Sequence, residues 1–400
     1  MSSKGFEWLI VGGGIHGVHI AARLLGEAKV APERLCIVDP GTRLLERWQS
    51  CTERTGMTHL RSPVVHHLDL EAWSLRRYAG KAKQRRLGLL SGKYDKPALS
   101  LFNAHCEKVI ETYGLSRVHI CDRAIACKVE CDEVLVQMVS GLEVKTQNLV
   151  LAMGAGDQPY WPLWAFREHE RVHHIFAPDF RGWPMSSETV AVVGGGITSA
   201  QVALKLLEEG HDVHLISRHE IREKMFDSDS GWLGPKHMTG FARVQDFDRR
   251  RQIINKARHR GSMPPEVKSA LCRAIAQSQI RWHEDSVEKI EAVDERLRIR
   301  LKDAAALKVD RILLATGFAK KRPGGDFVDS LISSASLPCA ECGYPVIDKG
   351  LRWHANVFVA GPLAELELGP VSRNIAGARR AADRLVDVVR KKKACTQRAS

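Results

Sequence analysis

Phe6-Glu7-Trp8-Leu9-Ile10-Val11-Gly12-Gly13-Gly14-Ile15-His16-Gly17 stands almost at the start of the chain. Its first six residues read as a buried strand, its glycines as a G-x-G-x-x-G turn, and Val18 to Leu25 as the helix that follows. Each glycine has a separate mechanical reason. Gly12 permits the tight turn, Gly14 lets the backbone approach a pyrophosphate, and Gly17 lets helix and strand pack closely, while the helix N-terminus supplies N–H groups and a positive dipole. Arg34-Leu35-Cys36-Ile37-Val38-Asp39 then reads as a second strand ending in an acid, at about the 20-residue distance where a ribose 2′-hydroxyl needs an acceptor.

The pattern recurs downstream. Thr189-Val190-Ala191-Val192-Val193 leads into Gly194-Gly195-Gly196-Ile197-Thr198-Ser199-Ala200, with Ser199 as a small residue in the third glycine position. The next strand, His211 to Ile216, ends in Ser217-Arg218-His219 instead of an acid. A carboxylate there would repel a 2′-phosphate, whereas a hydroxyl and a guanidinium can bind one. An acid after the first fingerprint and a base after the second point to one resident and one exchanging dinucleotide. FAD followed by NADPH is the economical assignment, and it makes the chain a redox enzyme.

The surrounding sequence predicts an α/β protein with two Rossmann-like dinucleotide-binding domains, the NADPH domain inserted in a discontinuous FAD domain. Residues 1–156 form the first FAD part, 157–187 a linker rich in Pro and Trp, 188–310 the NADPH domain, and 311–400 the second FAD part. Arg311 to Phe318, an apolar strand closing on Ala315-Thr316-Gly317, is placed at the return crossing. Near the end, Val357 to Pro362 gives a strand reaching Gly361, and Arg373-Asn374 precedes a helical stretch from Ile375 to Val389. A helix N-terminus so placed can close a flavin site.

With 44% hydrophobic and 27% charged residues, disorder and fibrous architecture are excluded. The formal net charge of +13 attracts phosphates or acidic substrates without naming one. Ten cysteines are scattered through a chain that enters a strand too early for a signal peptide, so reduced thiols and a cytoplasmic location are expected. No apolar run approaches membrane-spanning length. Arg249-Arg250-Arg251 with Lys256, Arg258 and Arg260 reads as one solvated helix face, and without interleaved aromatic residues no nucleic-acid partner is expected.

In layout the chain resembles the two-dinucleotide-domain flavoproteins, and within them the NADPH-dependent flavin monooxygenases that include lysine and ornithine N-hydroxylases. The motifs carrying this likeness are Leu44 to Trp48 with Met57 to Pro63, the acid-rich Phe226-Asp227-Ser228-Asp229-Ser230, and Ala315-Thr316-Gly317. The resemblance implies that Trp48, Met57, Arg61 and Arg373 line the flavin and that Thr316, Gly317 and Gly361 border the cofactors. It further implies that a small-molecule amine or other soft nucleophile is oxygenated by molecular oxygen through a peroxyflavin, with no catalytic triad required. This sequence departs from those hydroxylases in having Ile15-His16 where they carry a proline, and Thr198-Ser199-Ala200-Gln201 where they have Ser-Ala-Ala-Glu. Two alternatives stay open: a disulfide or quinone reductase using Cys339-Ala340-Glu341-Cys342, and a flavin-binding sensor without turnover. A second C-x-x-C is missing, so no metal site is expected. Homo-oligomerisation is compatible with the sequence.

Overall fold

The computed structural model describes residues 5–80 and 87–399, with side chains to Lys393. The first four residues, on which the reading of a missing signal peptide partly rests, and the side chain of Cys395 lie outside the described residues. Two parallel sheets organise the chain. In the first, Gly5–Val11 is central, flanked in parallel by Leu35–Asp39 on one side and Glu143–Leu151 on the other. Val357–Val359 adds beyond Glu143–Leu151, and His119–Cys121 beyond Leu35–Asp39. The strand Gly5–Val11 is apolar nearly throughout because both of its faces are covered, as a parallel sheet requires. One face receives the helix Ile15–Gly26 and, against it, the terminal helix Ile375–Ala399. These elements share one hydrophobic core with Leu9, Ile10, Val18, Leu24, Phe358 and Leu385.

The second sheet runs Ile280–Glu284, Asp212–Ser217, Thr189–Val193, Arg311–Leu314, Val172–His174, all parallel. Two of these strands revise the expected layout. Arg311–Leu314, placed by sequence at the start of the returning FAD part, pairs with Thr189–Val193. Val172–His174, inside the stretch read as a linker without regular structure, pairs with Arg311–Leu314. The reason is a shared register: both sheets need a parallel strand beside the glycine-bearing one, and Arg311–Leu314 is to the second sheet what Glu143–Leu151 is to the first. A three-stranded antiparallel ribbon, Val287–Val293, Arg296–Leu301 and Leu307–Val309, leads into it. Between Ser217 and Ile280 a small helical layer, Pro235–Arg243 and Phe247–Ala257, packs on Leu366 and Val371 of the first domain's C-terminal part.

The C-terminal basic run Arg390 to Lys393 continues the helix, and Lys393 donates to the Ala28 carbonyl at 2.8 Å, which ties this part of the helix to the first domain. Among the described residues no helix is long and apolar enough to cross a membrane.

Candidate functional site: two glycine loops and the cleft between them

The two loops repeat the same geometry. Gly12 N–H donates to Val38 O at 2.8 Å, and Gly194 N–H to Ile216 O at 2.9 Å. Gly12 has φ +113°, and a Cβ added there would lie 2.7 Å from Ala152 O; Gly194 has φ +157° and would meet Ala315 O at 2.5 Å. Both glycines are therefore demanded by a neighbouring backbone that cannot move aside. A Cβ on Gly17 would lie 1.8 Å from Gly12 O, which forces glycine where helix crosses strand. In the second loop Ser199 fits because its hydroxyl turns back to Gly196 O at 2.8 Å.

Gly14 and Gly196 cap their helices and face open space: a Cβ on Gly14 would have no neighbour within 4 Å, and one on Gly196 only Gly261, at 3.6 Å. Each loop thus leaves room beside a helix N-terminus where unpaired N–H groups favour an anion.

The strand ends differ as read from sequence. Asp39 accepts from Gly13 N at 2.7 Å and from Gly41 N at 2.9 Å, which orients its carboxylate across the first loop. In the second domain Ser217 is buried, donating to His219 O at 2.9 Å and accepting from Trp282 Nε1 at 3.0 Å, so its hydroxyl is already committed. Arg218 is exposed and has no hydrogen bond or ion pair among the described residues.

Trp48 lies in the first turn of the helix Glu46–Thr55 and Met57 just beyond its end; both pack on the first core, with Trp48 Nε1 donating to Asn103 Oδ1 at 3.0 Å. That helix is tied to the chain crossing. Arg47 donates to the carbonyls of Gly156 and Phe176, and Arg54 to Ala177 O at 2.8 Å. Thr316 donates to Tyr160 O and meets His174 Nε2 at 3.2 Å, while Gly317, at φ +79°, accepts from Tyr160 N. The Ala-Thr-Gly segment therefore ties the end of the strand Arg311–Leu314 to Tyr160 and to the strand Val172–His174.

Arg61 and Arg373 spend their donors on protein. Arg61 reaches from the first domain to Met225 O at 3.1 Å, Lys224 O at 2.6 Å and Ser262 Oγ at 3.0 Å, locking the two domains together. Arg373 holds both oxygens of Glu365, at 2.6 and 2.9 Å, and the Tyr344 hydroxyl at 2.9 Å.

Glu365 is the centre of a charge cluster that sequence reading missed. It is only 1% exposed and is also bonded by Arg251, with Arg258 4.0 Å away. Burial alone would raise its carboxyl pKa, but the hydrogen bonds and charges of Arg373 and Arg251 outweigh that and hold it below the usual range. The run Arg249-Arg250-Arg251 is consequently not one solvated face. Arg249 is exposed, whereas Arg250 turns inward to Val244 O at 2.7 Å, Leu366 O at 2.9 Å and Glu367 at 3.1 Å. Arg251 lies over the Tyr344 ring at 3.9 Å. The detectable signal was a pair of acids, Glu365 and Glu367, inside the otherwise apolar stretch Leu363 to Leu368, since a carboxylate buried there needs a cation.

From the acid-rich segment, Asp227 accepts from Asn374 Nδ2 at 3.0 Å, just before the terminal helix, and Asp229 caps the turn at Gly231 at 2.7 Å. Cys339 is exposed and Cys342 half-buried, on a turn next to Tyr344; among the described residues there is no metal-ligating group of three or more.

This architecture is that of the two-domain FAD/NAD(P)-binding oxidoreductases, and within them it resembles the flavin monooxygenases. Residues 9–156 match a family described as FAD-NAD(P)-binding, and residues 93–258 one described as pyridine nucleotide-disulphide oxidoreductase. Among solved structures, the ornithine N-hydroxylase of Kutzneria sp. 744 superposes with a TM-score of 0.76 at 16% identity, covering 97% of this chain and 100% of that one. L-lysine 6-monooxygenase from Pseudomonas syringae gives 0.70 at 18% identity, over 98% and 99% of the two chains. The bacillithiol disulfide reductase of Bacillus cereus gives 0.63 at 17% identity, over 97% and 99%. No curated protein matches in sequence.

Proposed function

We propose that this chain is an FAD- and NADPH-dependent monooxygenase that oxygenates an amine or another soft nucleophile. The observation carrying the reading is the pair of open glycine loops in one chain, the first closed by an oriented acid and the second by an unpaired guanidinium. The residues fit the two dinucleotides. Gly14 and Gly196 leave space for a diphosphate beside a helix N-terminus. Asp39 would accept from the FAD ribose. Arg218 would pair with the NADPH 2′-phosphate, leaving Ser217 a structural part.

Bound flavin would supply the redox centre that takes a hydride from NADPH and passes electrons to oxygen. The protein's part is placement and exclusion of water. Trp48 and Met57 wall the flavin side of the cleft, while Arg61 and Arg373, by fixing the domain contact and the start of the terminal helix, hold those walls in position. Gly361 and Gly317 keep backbone, free of side-chain bulk, at the borders of the site, and Thr316, its hydroxyl turned to Tyr160 O and His174, ties that border to the chain crossing. No residue needs to be a nucleophile, and the substrate's own lone pair does that work.

The N-hydroxylase likeness is supported by its higher TM-score, 0.76 against 0.63 for the disulfide reductase, and by the position of Cys339 and Cys342, outside the stretch matching the disulphide oxidoreductase family. Purified protein tests the proposal directly. It should carry a flavin spectrum and consume oxygen with NADPH, releasing hydrogen peroxide when no acceptor amine is present. NADPH oxidation that requires a disulfide substrate and is lost in Cys339→Ser would assign it to the reductases instead. A flavin-bound protein inert to NADPH would make it a sensor.

Arg218→Ala should raise the KM for NADPH by about tenfold or more while leaving that for NADH nearly unchanged, because a charge-assisted contact to phosphate is worth ~1.5–3 kcal/mol. Equal effects on both nucleotides in steady-state assays would remove the assignment of NADPH to the second loop.

A further inference from the structure

Cys339-Ala340-Glu341-Cys342 is the single C-x-x-C of the chain, and no step of the proposed oxygenation uses it. It is folded into the tip of a hairpin. Cys339 bridges Pro345 in antiparallel fashion, Ala340 N–H donates to Tyr344 O at 2.9 Å and Gly343 N–H to Ala340 O at 2.8 Å, while Gly343 takes the left-handed φ of +76° that turns the chain back. The reversal over Ala340 to Gly343 returns Cys342 to the side of Cys339, and the two thiols are close enough for the charge of one to act on the other. Cys339 is exposed and Cys342 half-buried.

The tip is held from behind. Glu341 meets Asp248 and Cys342 meets Arg251, one turn apart on the helix Phe247–Ala257, and Ala340 and Cys342 pack on the cluster of Trp232, Phe241 and Tyr344. Joining two sulfurs on a turn already closed in this way costs little chain entropy. The other exposed thiols among the described residues, Cys121, Cys131 and Cys272, stand in no C-x-x-C, and Cys36, Cys106 and Cys127 are buried. Two sulfurs with no third ligand beside them among the described residues suit a disulfide better than zinc, which takes four ligands.

We propose that Cys339 and Cys342 form a reversible oxidation site whose substrate is a hydroperoxide, hydrogen peroxide in the simplest case, and whose product is an intramolecular disulfide across the hairpin tip. The Cys339 thiolate attacks one peroxide oxygen, an S–O bond forms, the O–O bond breaks, and the departing oxygen leaves as water with the thiol proton. The Cys342 sulfur then attacks the sulfenic sulfur of Cys339. The S–S bond forms, the S–O bond breaks, and a second water leaves with the Cys342 proton. The two thiols lose two electrons and one peroxide gains them. The monooxygenase reading enters only as one source of peroxide, and the site stands without it.

Reactivity follows the thiolate. Partial burial pushes the Cys339 pKa up, Arg322 offsets part of the rise, and Cys342 and Asp329 add to it. The site is accordingly slow at neutral pH and quickens as the pH rises toward ionisation of the thiol, so it answers sustained peroxide instead of traces.

The test is peroxide treatment of the full-length protein followed by alkylation and peptide mass spectrometry. Cys339 and Cys342 should both be lost to alkylation, appear in one peptide lacking two hydrogens, and return after dithiothreitol, while Cys121, Cys131 and Cys272 in the same sample stay open to alkylation. Cys342→Ser should leave Cys339 without a partner, so that its sulfenic acid is trapped by dimedone and no disulfide forms. Cys339 and Cys342 alkylating as fully as the three lone thiols after peroxide overturns the inference, as does a bound metal that shields both until a chelator removes it. Because the peroxide is added, the result does not depend on flavin: a protein that takes up no FAD overturns the functional reading alone, and a missing disulfide overturns this inference alone.

Discussion

Glu365→Gln is expected to destabilise the protein by about 3–5 kcal/mol, the range for removing one partner of a buried ion pair. The carboxylate accepts from Arg373 at Nε and Nη2 and from Arg251, with Arg258 close by and only Asp227 to share it. Glutamine keeps the volume and one acceptor oxygen but removes the charge and offers an N–H to guanidinium groups that have no use for it. Two half-buried arginines are left facing each other across an uncharged amide. Because Arg251 comes from the helical layer between Ser217 and Ile280, and Arg373 from the segment before the terminal helix, the loss also loosens the junction of the two domains. Urea denaturation provides the measurement, and a loss below about 1 kcal/mol, the worth of an exposed ion pair, would mean that water already screens the cluster. Glu365→Leu should cost less than a simple loss of charge implies only if Arg251 can reach solvent, so its comparison with Glu365→Gln reports how closed the junction is.

Gly17→Ala should yield protein without flavin and with a lowered melting temperature. The added methyl would lie 1.8 Å from Gly12 O and 3.0 Å from Gly12 C, both backbone atoms, so the helix Ile15–Gly26 must lift off the strand. Overpacking of this kind costs ~1–3 kcal/mol where side chains can yield, and more where only backbone can. Lifting the helix also moves its N-terminal N–H groups away from the space at Gly14, so binding and stability fall together. Gly14→Ala is the informative companion: its methyl meets nothing within 4 Å, so the fold should melt normally, while the space for a diphosphate is filled and flavin is lost. Flavin-to-protein absorbance ratios and thermal melts of both variants provide the comparison. A yellow, stable Gly17→Ala protein would contradict the packing shown here.

What can be read from sequence alone follows from how local its physics is. Gly12 and Gly17 are demanded by close backbone contacts at their turn, Gly194 by the same contact in the second turn, and Gly14 and Gly196 keep the anion space open, so both loops, and the strands and helices beside them, were legible. The contrast between Asp39 and Arg218 was legible for the same reason, since each follows the strand next to its loop. Side-chain partners far apart in sequence were not. Arg250 and Arg251 look like members of an exposed basic run until Leu366, Glu367 and Glu365 are brought over them. The resemblance implies that Arg61 and Arg373 line the flavin, yet their donors go to Lys224, Met225 and Ser262 in one case and to Glu365 and Tyr344 in the other.

The strand Arg311–Leu314 belongs to the second sheet because an apolar parallel strand fits beside either glycine-bearing strand, and only the packed register chooses. His16 shows the same division within a single motif. Gly12 and Gly17 beside it follow from backbone sterics over a few residues, whereas its burial arises where Gly361, Arg373 and Asn374 close over the ring from the other end of the chain. Turn geometry is set by neighbours in sequence. Charge pairing, burial and sheet membership depend on which distant segments share a volume, and those were decided by tertiary structure.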